Sequence, residues 1–306
     1  MKYDYLWDRS GEPDAEIQQL EAMLGQFRLQ ETMVATIPGR RWVGAVAASL
    51  IAALALWQSV YAPRPTETAW RADGRVVAAG ETVRAGAKDG VVLEAEGFGE
   101  VRLDPSSSVS VAESRPGLHH FDLHAGTLHA MIWAPPREFL VDTASSRAVD
   151  LGCQYTLSVD SAGDGVLSVE SGWVAFLHKG KESFVPAGAK CATRRAEGPG
   201  LPYFVDAEAD FAEAVRAFDA GRGNQALRRI LARARSRDAL TLWHLMTRAA
   251  PAERGVVFER FAQLVQVPKE VNRERVAALD PAAIDLCWNA LELESAGWWR
   301  GWRRNW

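Results

Sequence analysis

The spacing of apolar residues changes three times along the 306-residue chain, and each change predicts a different kind of segment. Apolar side chains recur at helical intervals in residues 1–41 and form an uninterrupted run in residues 42–63. They fall into short runs between turns in residues 70–195 and return to helical intervals in residues 203–306. The pattern predicts a membrane-anchored multidomain protein with an N-terminal tail, a single transmembrane helix, an all-β domain and an all-α C-terminal domain.

The run at residues 42–63 contains no charged side chain and directly follows Arg40 and Arg41. As an α-helix it would be roughly 33 Å long, which matches the hydrocarbon core of a bilayer. Trp42 and Trp57 lie near its ends, where aromatic side chains favour the membrane interface. We therefore expect residues 42–63 to contact membrane lipid, although the many alanines also fit a buried helix of a soluble domain.

The charges around this run predict its topology. Basic residues are concentrated on the N-terminal side, and the positive-inside rule places that side in the cytoplasm. Because about forty residues precede the run, a cleaved signal peptide is not expected. The expected localisation is the inner membrane, crossed once, with the N-terminus cytoplasmic and the C-terminal domains extracytoplasmic.

Residues 1–41 contain one stretch with the spacing of an amphipathic helix. Its apolar side chains recur every three or four residues and are Ile17, Leu20, Leu24 and Phe27. A helix of this length cannot bury its own apolar face, so a partner protein is expected to cover it. The excess of acidic side chains in the tail disfavours DNA and anionic lipid as partners. The alternative is a helix that lies on the membrane beside the anchor.

Residues 70–195 read as a β domain, because short runs rich in Val, Phe and Thr are separated by glycine-containing turns. The predicted strands are residues 91–95, 109–112, 120–123, 127–133, 139–143, 148–151, 155–159, 166–170 and 173–178. Many short strands with close connections favour a sandwich, a roll or a solenoid-like sheet.

Helical spacing returns after residue 206. The predicted helices include residues 211–218, 227–234, 242–246, 257–265 and 284–291. Short helices with short connections are typical of a bundle or of stacked helical hairpins.

The composition excludes several classes of function. A formal net charge of −4 gives no general attraction to nucleic acid, so no direct nucleic-acid partner is expected. The sequence has no GxSxG, HExxH, GxxxxGK[ST] or CxxCH motif, so neither catalysis nor a cofactor is expected. His119, His120, His124 and His129 cluster around Asp122, but their spacing satisfies no metal-site rule. We expect them to be polar, solvent-facing positions of a half-buried strand.

Five segments of the β region resemble the FecR-domain family. They are Leu123-x-Ala125-Gly126-x-Leu128, residues 137–143, Val149-x-Leu151-Gly152-x-x-Tyr155-x-Leu157, residues 166–174, and Val185-Pro186-Ala187-Gly188. Members of this family are single-pass regulators in which a cytoplasmic tail binds an extracytoplasmic-function sigma factor and an external β domain receives a signal. The resemblance implies an anti-sigma factor or sigma regulator that relays an extracytoplasmic signal to a cytoplasmic sigma factor.

The external input of such a regulator would be an envelope partner or ligand, which the sequence does not name. The alternative from a different class is an envelope scaffold or binding module that uses a FecR-like β domain and has no transcriptional role.

Cys153 and Cys191 both fall in the β region, which is expected outside the cytoplasm, where disulfides form. We predict a disulfide between them, which would stabilise the protein by roughly 4 kcal/mol on the chain-entropy model. Two buried thiols are the alternative.

The C-terminal end is rich in tryptophan and arginine. Trp298, Trp299, Trp302 and Trp306 are interleaved with arginines, a composition typical of a contact surface or a membrane-interface belt. These four residues are candidate interface residues; the alternative is that their rings fold back onto the helical or β domain.

Overall fold

The computed structural model describes residues 69–293. The chain divides into two units, Met1–Pro63 and Arg64–Trp306, and all of the described residues belong to the second. The predicted tail, the predicted transmembrane run at residues 42–63 and the tryptophan-rich end lie outside the described residues.

Strands form the first part of the described chain and helices the second. The strands are β1 Arg71–Ala72, β2 Arg75–Val76, β3 Thr82–Arg84, β4 Val91–Ala95, β5 Gly99–Leu103, β6 Ser108–Arg115, β7 Leu118–Ile132, β8 Phe139–Asp142, β9 Arg147–Asp150, β10 Gln154–Val159, β11 Gly165–Ser171, β12 Trp173–His178, β13 Lys181–Pro186, β14 Ala189–Arg194, β15 Gly198–Pro199 and β16 Tyr203–Phe204. The helices are α1 Ala209–Asp219, α2 Gly223–Arg233, α3 Ala239–Arg248, α4 Pro251–Leu264, α5 Arg273–Ala277 and α6 Pro281–Asn289, with a 3₁₀ turn at Ser236–Asp238.

The sheet is organised around β7, a strand of 15 residues. The first half of β7 pairs with β6 and β8, and the second half pairs with β5 and β10. One arm of the sheet runs from β8 through β9 and β12 to β13, and the other runs from β10 through β11 and β14 to β15. Among the described strands, the pairing of β7 with β8 is parallel and the others are antiparallel.

Strand β7 changes its inward-facing positions at Gly126. Phe121 and Leu123 are buried in the first half, whereas Leu128 and Ala130 are buried in the second, so the buried positions change from odd to even numbers. In a regular strand every second side chain faces the same side of the sheet. The change at Gly126 is accommodated by its left-handed φ of +91° and by nearby shifts in the register between β6 and β7. The sequence predicts two strands separated by a turn here. That prediction is wrong because β7 is continuous from Leu118 to Ile132, with β6 pairing up to Ala125 and β10 pairing from Gly126 onward.

The apolar side of the sheet packs its aromatic rings edge to face. Trp70 lies with its ring centroid 4.9 Å from that of Phe121, and Phe121 lies 5.2 Å from Phe139. All three side chains are fully buried. Such contacts add to the hydrophobic stabilisation because the ring edges face the negative ring surfaces.

A second group of rings joins the sheet to the helices. Trp288 of α6 packs 5.8 Å from Trp173 of β12 and 5.5 Å from Phe184 of β13, measured between ring centroids. Trp243 of α3 lies 4.7 Å from the same Trp288 ring. The helices therefore bury their apolar faces against the end of one arm of the sheet.

The predicted fold class requires correction. Within residues 69–293, no helix is long and apolar enough to cross a membrane; α4, the longest of them with 14 residues, is roughly 21 Å long and carries charged side chains. The sheet and the helices also share one hydrophobic core, because the aromatic contacts above connect them. The described protein is a large, mainly antiparallel sheet with a C-terminal helical part.

Two glycines of the FecR-like segments lie where a side chain has no room. Gly126 and Gly172 both adopt left-handed backbone conformations, with φ of +91° and +70°. A Cβ atom at Gly126 would lie 2.5 Å from Cα of Ser107, and one at Gly172 would overlap the carbonyl oxygen of Gly152. These positions therefore require glycine for two reasons, the backbone conformation and the close approach of a neighbouring chain segment.

We expect Gly172→Ala to destabilise the protein much more than Gly180→Ala. Gly180 has the same left-handed backbone, with φ +82°, but open space around it. The change at Gly180 should cost about 1 kcal/mol for the backbone conformation alone. The change at Gly172 should cost at least about 2 kcal/mol more, because backbone atoms must move. Urea unfolding of the full chain, followed by tryptophan fluorescence, measures both; equal losses would contradict the steric explanation.

Candidate functional site

The edge of the sheet at β13 is covered by helix α3. Among the described strands β13 pairs only with β12, so one side of its backbone needs other partners. The amide N–H of Phe184 donates to Nε2 of His244 at 3.0 Å, and the carbonyl of Glu182 accepts from Nη2 of Arg248 at 2.6 Å. His244 and Arg248 are four residues apart and so lie on one face of α3. Pro186, at the next alternate position of β13, has no N–H to satisfy.

The hydrogen bonds of His244 define its tautomer. Its Nδ1 lies 3.0 Å from the carbonyl oxygen of Leu240, which can only accept, so Nδ1 carries the proton. Nε2 is then the unprotonated nitrogen that accepts from Phe184. The ring is buried; Nδ1 is bound within α3 and fixes the orientation of the ring, and Nε2 holds α3 on the sheet edge.

Arg248 makes three contacts with neutral acceptors. Besides the carbonyl of Glu182, Nη2 donates to the hydroxyl of Ser183 at 2.6 Å, and Nη1 donates to the carbonyl of Pro199 at 3.4 Å. The hydroxyl of Ser183 in turn donates to the carbonyl of Gly200 at 2.7 Å. The guanidinium group therefore links β13 to the segment around β15.

A cavity of about 420 Å³ opens beside this guanidinium group. It lies between the start of β13, the segment before β15 and the C-terminal end of α1, and its lining residues are Lys181, Glu197, Phe218, Asp219, Gly221 and Arg248. The Nζ of Lys181 donates to the backbone carbonyl of Glu197 at 3.2 Å. Two cationic and two carboxylate side chains thus face one cavity, an arrangement suited to recognising a charged ligand.

Burial shapes the electrostatics of this cavity. It raises the pKa of Asp219 to about 6, although the backbone N–H of Leu201 and the charges of Arg248 and Lys181 oppose the shift. Both oxygens of Asp219 accept from that N–H, at 3.0 and 3.1 Å. Burial, followed by the charge of Arg248, lowers the pKa of Lys181. The charge of the cavity therefore becomes more positive as the pH falls through 6.

The two cysteines of the predicted disulfide are not brought together. Both are buried free thiols. Cys191 lies opposite Leu167 of β11, whereas Cys153 contacts Gly172, which directly follows the same strand. Leu167 and Gly172 are five residues apart. That separation is roughly 16 Å along a strand, far beyond the distance that a disulfide spans. Cys287 is buried in the core, as its position on the apolar face of the last helix indicates.

Each thiol has a different partner. The thiol of Cys153 donates to Oδ2 of Asp150 at 2.7 Å, and the thiol of Cys191 lies 3.3 Å from the carbonyl of Gly200. Asp150 is almost fully buried, and burial raises its pKa to about 7 in spite of hydrogen bonds from Cys153 and Gly152. Burial, together with the charge of Asp150, also raises the pKa of Cys153.

The histidines of β7 do not form one cluster. His119 is buried in the aromatic core and accepts from Nε1 of Trp70 at 3.1 Å, so the expectation that it faces solvent is wrong. Burial lowers its pKa. His124 is exposed with its ring 2.6 Å from the hydroxyl of Ser110, and His129 lies 3.1 Å from Asp104.

The remaining histidine, His120, lies near two carboxylates. Its Nε2 is 3.0 Å from Asp142 and 3.8 Å from Asp122. Asp142 comes from β8, which the parallel pairing places opposite Asp122. Arg147 binds both oxygens of Asp142, at 2.6 and 2.7 Å, and already neutralises that carboxylate. We therefore assign this group as a surface ion-pair network.

The other predicted site residues lie outside the described part of the chain. They are Ile17, Leu20, Leu24 and Phe27 of the tail and Trp298, Trp299, Trp302 and Trp306 of the C-terminal end. The sequence analysis missed the residues that line the cavity beside Arg248. The available signal was the pair His244 and Arg248, the two ionisable residues of a mostly apolar helix, which lie four residues apart.

Comparison with known proteins finds only distant similarity. No family model matches the sequence, and no curated protein matches it. Two crystal structures of a "putative anti-sigma factor" from Parabacteroides distasonis ATCC 8503, at 1.65 Å and 2.50 Å resolution, share 12% sequence identity with this chain at a TM-score of 0.37. The similarity covers 44% of this chain and 63% of each of those chains, which is less than two thirds of their length.

We expect His244→Leu to destabilise the protein by about 1–3 kcal/mol, because the buried N–H of Phe184 would lose its acceptor. His178→Leu is the matched control, since no hydrogen-bond partner of its Nε2 is found among the described residues. Urea unfolding of the full chain measures both changes. Equal losses for the two variants would show that the edge contact of His244 contributes little.

We expect Asp150 to make the protein less stable as the pH rises from 4 to 7. The folded state holds a proton on Asp150 up to about pH 7, whereas the unfolded state loses it near the ordinary value of 3.8, so the folded state binds more protons in this window. Asp219 contributes with the same sign up to about pH 6. Between pH 6 and 7, wild type should therefore lose up to about 1 kcal/mol relative to Asp150→Asn.

The measurement for Asp150 is the free energy of unfolding at half-unit pH steps for wild type, Asp150→Asn and the control Asp89→Asn. Asp89 is exposed in the connection between β3 and β4, and Asp89→Asn makes the same chemical change away from the buried carboxylate. Parallel curves for wild type and Asp150→Asn would contradict the assigned protonation.

Proposed function

We propose that this chain is a signalling regulator of the FecR-domain type. In this proposal the sheet-and-helix unit receives a signal, and residues 1–41 bind a sigma factor of the extracytoplasmic-function class. The observation that carries the proposal is the position of the five FecR-like sequence segments in the fold. In chain order they fall on β7, on β8, on β9 and β10, on β11 and β12, and on the end of β13 with its following turn.

The residue types within these segments support the resemblance. Most of their apolar members point inward: Leu128, Tyr155, Leu157 and Val174 are fully buried, whereas Val166 is exposed. The glycines occupy left-handed turns or close approaches, as Gly126 illustrates. An ordered set of segments that builds consecutive parts of one sheet is stronger support than a single short motif, because each segment has its own structural requirement.

The junction between sheet and helices is the proposed input of the regulator. A ligand can change the state of a protein only if it binds two conformations with different affinity. The cavity beside Arg248 has walls from both the sheet and the helical part, so a ligand there would respond to how α3 sits on the edge of β13. Binding at this junction is the route by which the signal would reach the tail.

The test of this proposal uses the tail. Full-length protein carrying Leu20→Asp and Leu24→Asp should lose at least about tenfold in the amount of sigma factor that it captures from a native cell extract, because two charges would be placed on the apolar face of the predicted helix. The matched control carries Gln19→Asp and Gln26→Asp, which add the same charge to the opposite face. The captured proteins are identified and quantified by mass spectrometry.

Capture of a sigma factor by wild type and by the glutamine-face control, but not by the leucine-face variant, supports the proposal. If no sigma factor is captured, or if all three proteins capture it equally, the assignment of the tail is wrong. The FecR-like sheet would then belong to a binding module without a transcriptional role.

A further inference from the structure

Lys181 and Arg248 place two positive charges on one cavity, and neither forms a direct ion pair with the carboxylates of Asp219 and Glu197 that line the same cavity. Within residues 69–293, no carboxylate oxygen lies within 4.0 Å of the Nζ of Lys181 or of the guanidinium nitrogens of Arg248; the ion pairs of the described chain are formed elsewhere. Two like charges that face the same space raise each other's electrostatic energy. An anion between them would remove that penalty.

Both cations also keep hydrogen-bond donors free for a ligand. The guanidinium group of Arg248 has five N–H donors, and its contacts with Glu182, Ser183 and Pro199 use three of them. The ammonium group of Lys181 has three donors, and its contact with the carbonyl of Glu197 uses one. All of these acceptors are uncharged, so the charge of each group is offset only in part and at a distance, by carboxylates such as Asp219.

The carboxylate of Asp219 does not compete strongly for these donors. Both of its oxygens are turned to the backbone N–H of Leu201, at 3.0 and 3.1 Å. Its charge is also the easiest in the cavity to remove, since burial raises its pKa to about 6. The carboxylate of Glu197, by contrast, lies on an exposed residue at the rim.

We infer that the cavity beside Arg248 binds a small molecule through an oxyanion group, a carboxylate or a phosphate, held between Lys181 and Arg248. A planar guanidinium group beside an ammonium group is an arrangement that recognises either oxyanion by charge-assisted hydrogen bonds. A volume of about 420 Å³ is within the range of small-molecule sites, and Phe218 supplies an apolar wall for the rest of the ligand. This inference does not depend on the proposed role in signalling.

The experiment titrates the full-length protein with sulfate, inorganic phosphate and citrate at constant ionic strength, with chloride as the reference anion. Binding is measured by calorimetry and by the shift in thermal unfolding. Saturable binding with an increase in melting temperature is expected. Stronger binding of phosphate or of citrate identifies which oxyanion the site prefers. Binding that is absent, or equal for chloride, overturns the inference.

Two variants that change the charge of the cavity in opposite directions sharpen the test. Lys181→Gln should weaken binding at least about tenfold because one charge-assisted hydrogen bond is lost. Asp219→Asn should strengthen binding several-fold at pH 7, while its side-chain oxygen can still accept from Leu201. Lys88→Gln is the control, with the same loss of charge on an exposed residue between β3 and β4. If Lys88→Gln weakens binding as much as Lys181→Gln, the anion binds to surface charge in general and the inference is wrong.

The pH dependence provides an independent readout. Sulfate keeps its charge between pH 5 and 7, so a change in its affinity reports on the protein. Affinity should rise as the pH falls through 6, where Asp219 becomes neutral, and this rise should be much smaller in Asp219→Asn. The other charged or titratable groups that interact with Asp219 are Lys181, Arg194, Arg248 and the buried thiol of Cys191, and Glu197 and His178 lie near Lys181. An unchanged pH profile in Asp219→Asn would contradict the assigned role of this carboxylate.

Discussion

Backbone hydrogen bonding at the edge strand β13 ties the two parts of the described protein together. An edge strand presents N–H and C=O groups that are costly to bury without partners. His244 and Arg248 of α3 supply those partners, and the rings of Trp173, Phe184 and Trp288 fill the space beside them. The helical part therefore buries the edge of the sheet, and the two parts share one hydrophobic core.

The residue that completes this edge also faces the cavity. Arg248 donates to the backbone of β13 with one side of its guanidinium group and borders the cavity with Lys181 and Asp219. A ligand that interacts with Arg248 would thus change the balance of contacts that hold α3 on the sheet. Because Arg248 takes part in both, the free energy of ligand binding would be coupled to the free energy that holds α3 on the sheet.

The FecR-like segments and the cavity involve different residues. The segments contribute inward-facing apolar side chains and glycines at left-handed or crowded positions, and these residues specify the sheet. Lys181, Asp219 and Arg248 lie outside all five segments. A resemblance carried by scaffold residues predicts a type of fold, whereas the ligand of an individual protein depends on the side chains added around that scaffold.

The sequence by itself determined that strands precede helices in the described part and located strands such as β4, β10 and β12, because alternation along β10 and helical spacing in α3 and α4 are local properties. It did not predict β5, β13 or β14. It also predicted a break between strands at Gly172, which is confirmed between β11 and β12, whereas the break predicted at Gly126 is wrong. Only the tertiary structure decided that β7 is continuous, that Cys153 and Cys191 lie far apart, and that β13 meets α3. Strand pairing and edge contacts join residues that are distant in the chain, such as Phe184 and His244, and no local pattern encodes which distant groups will meet.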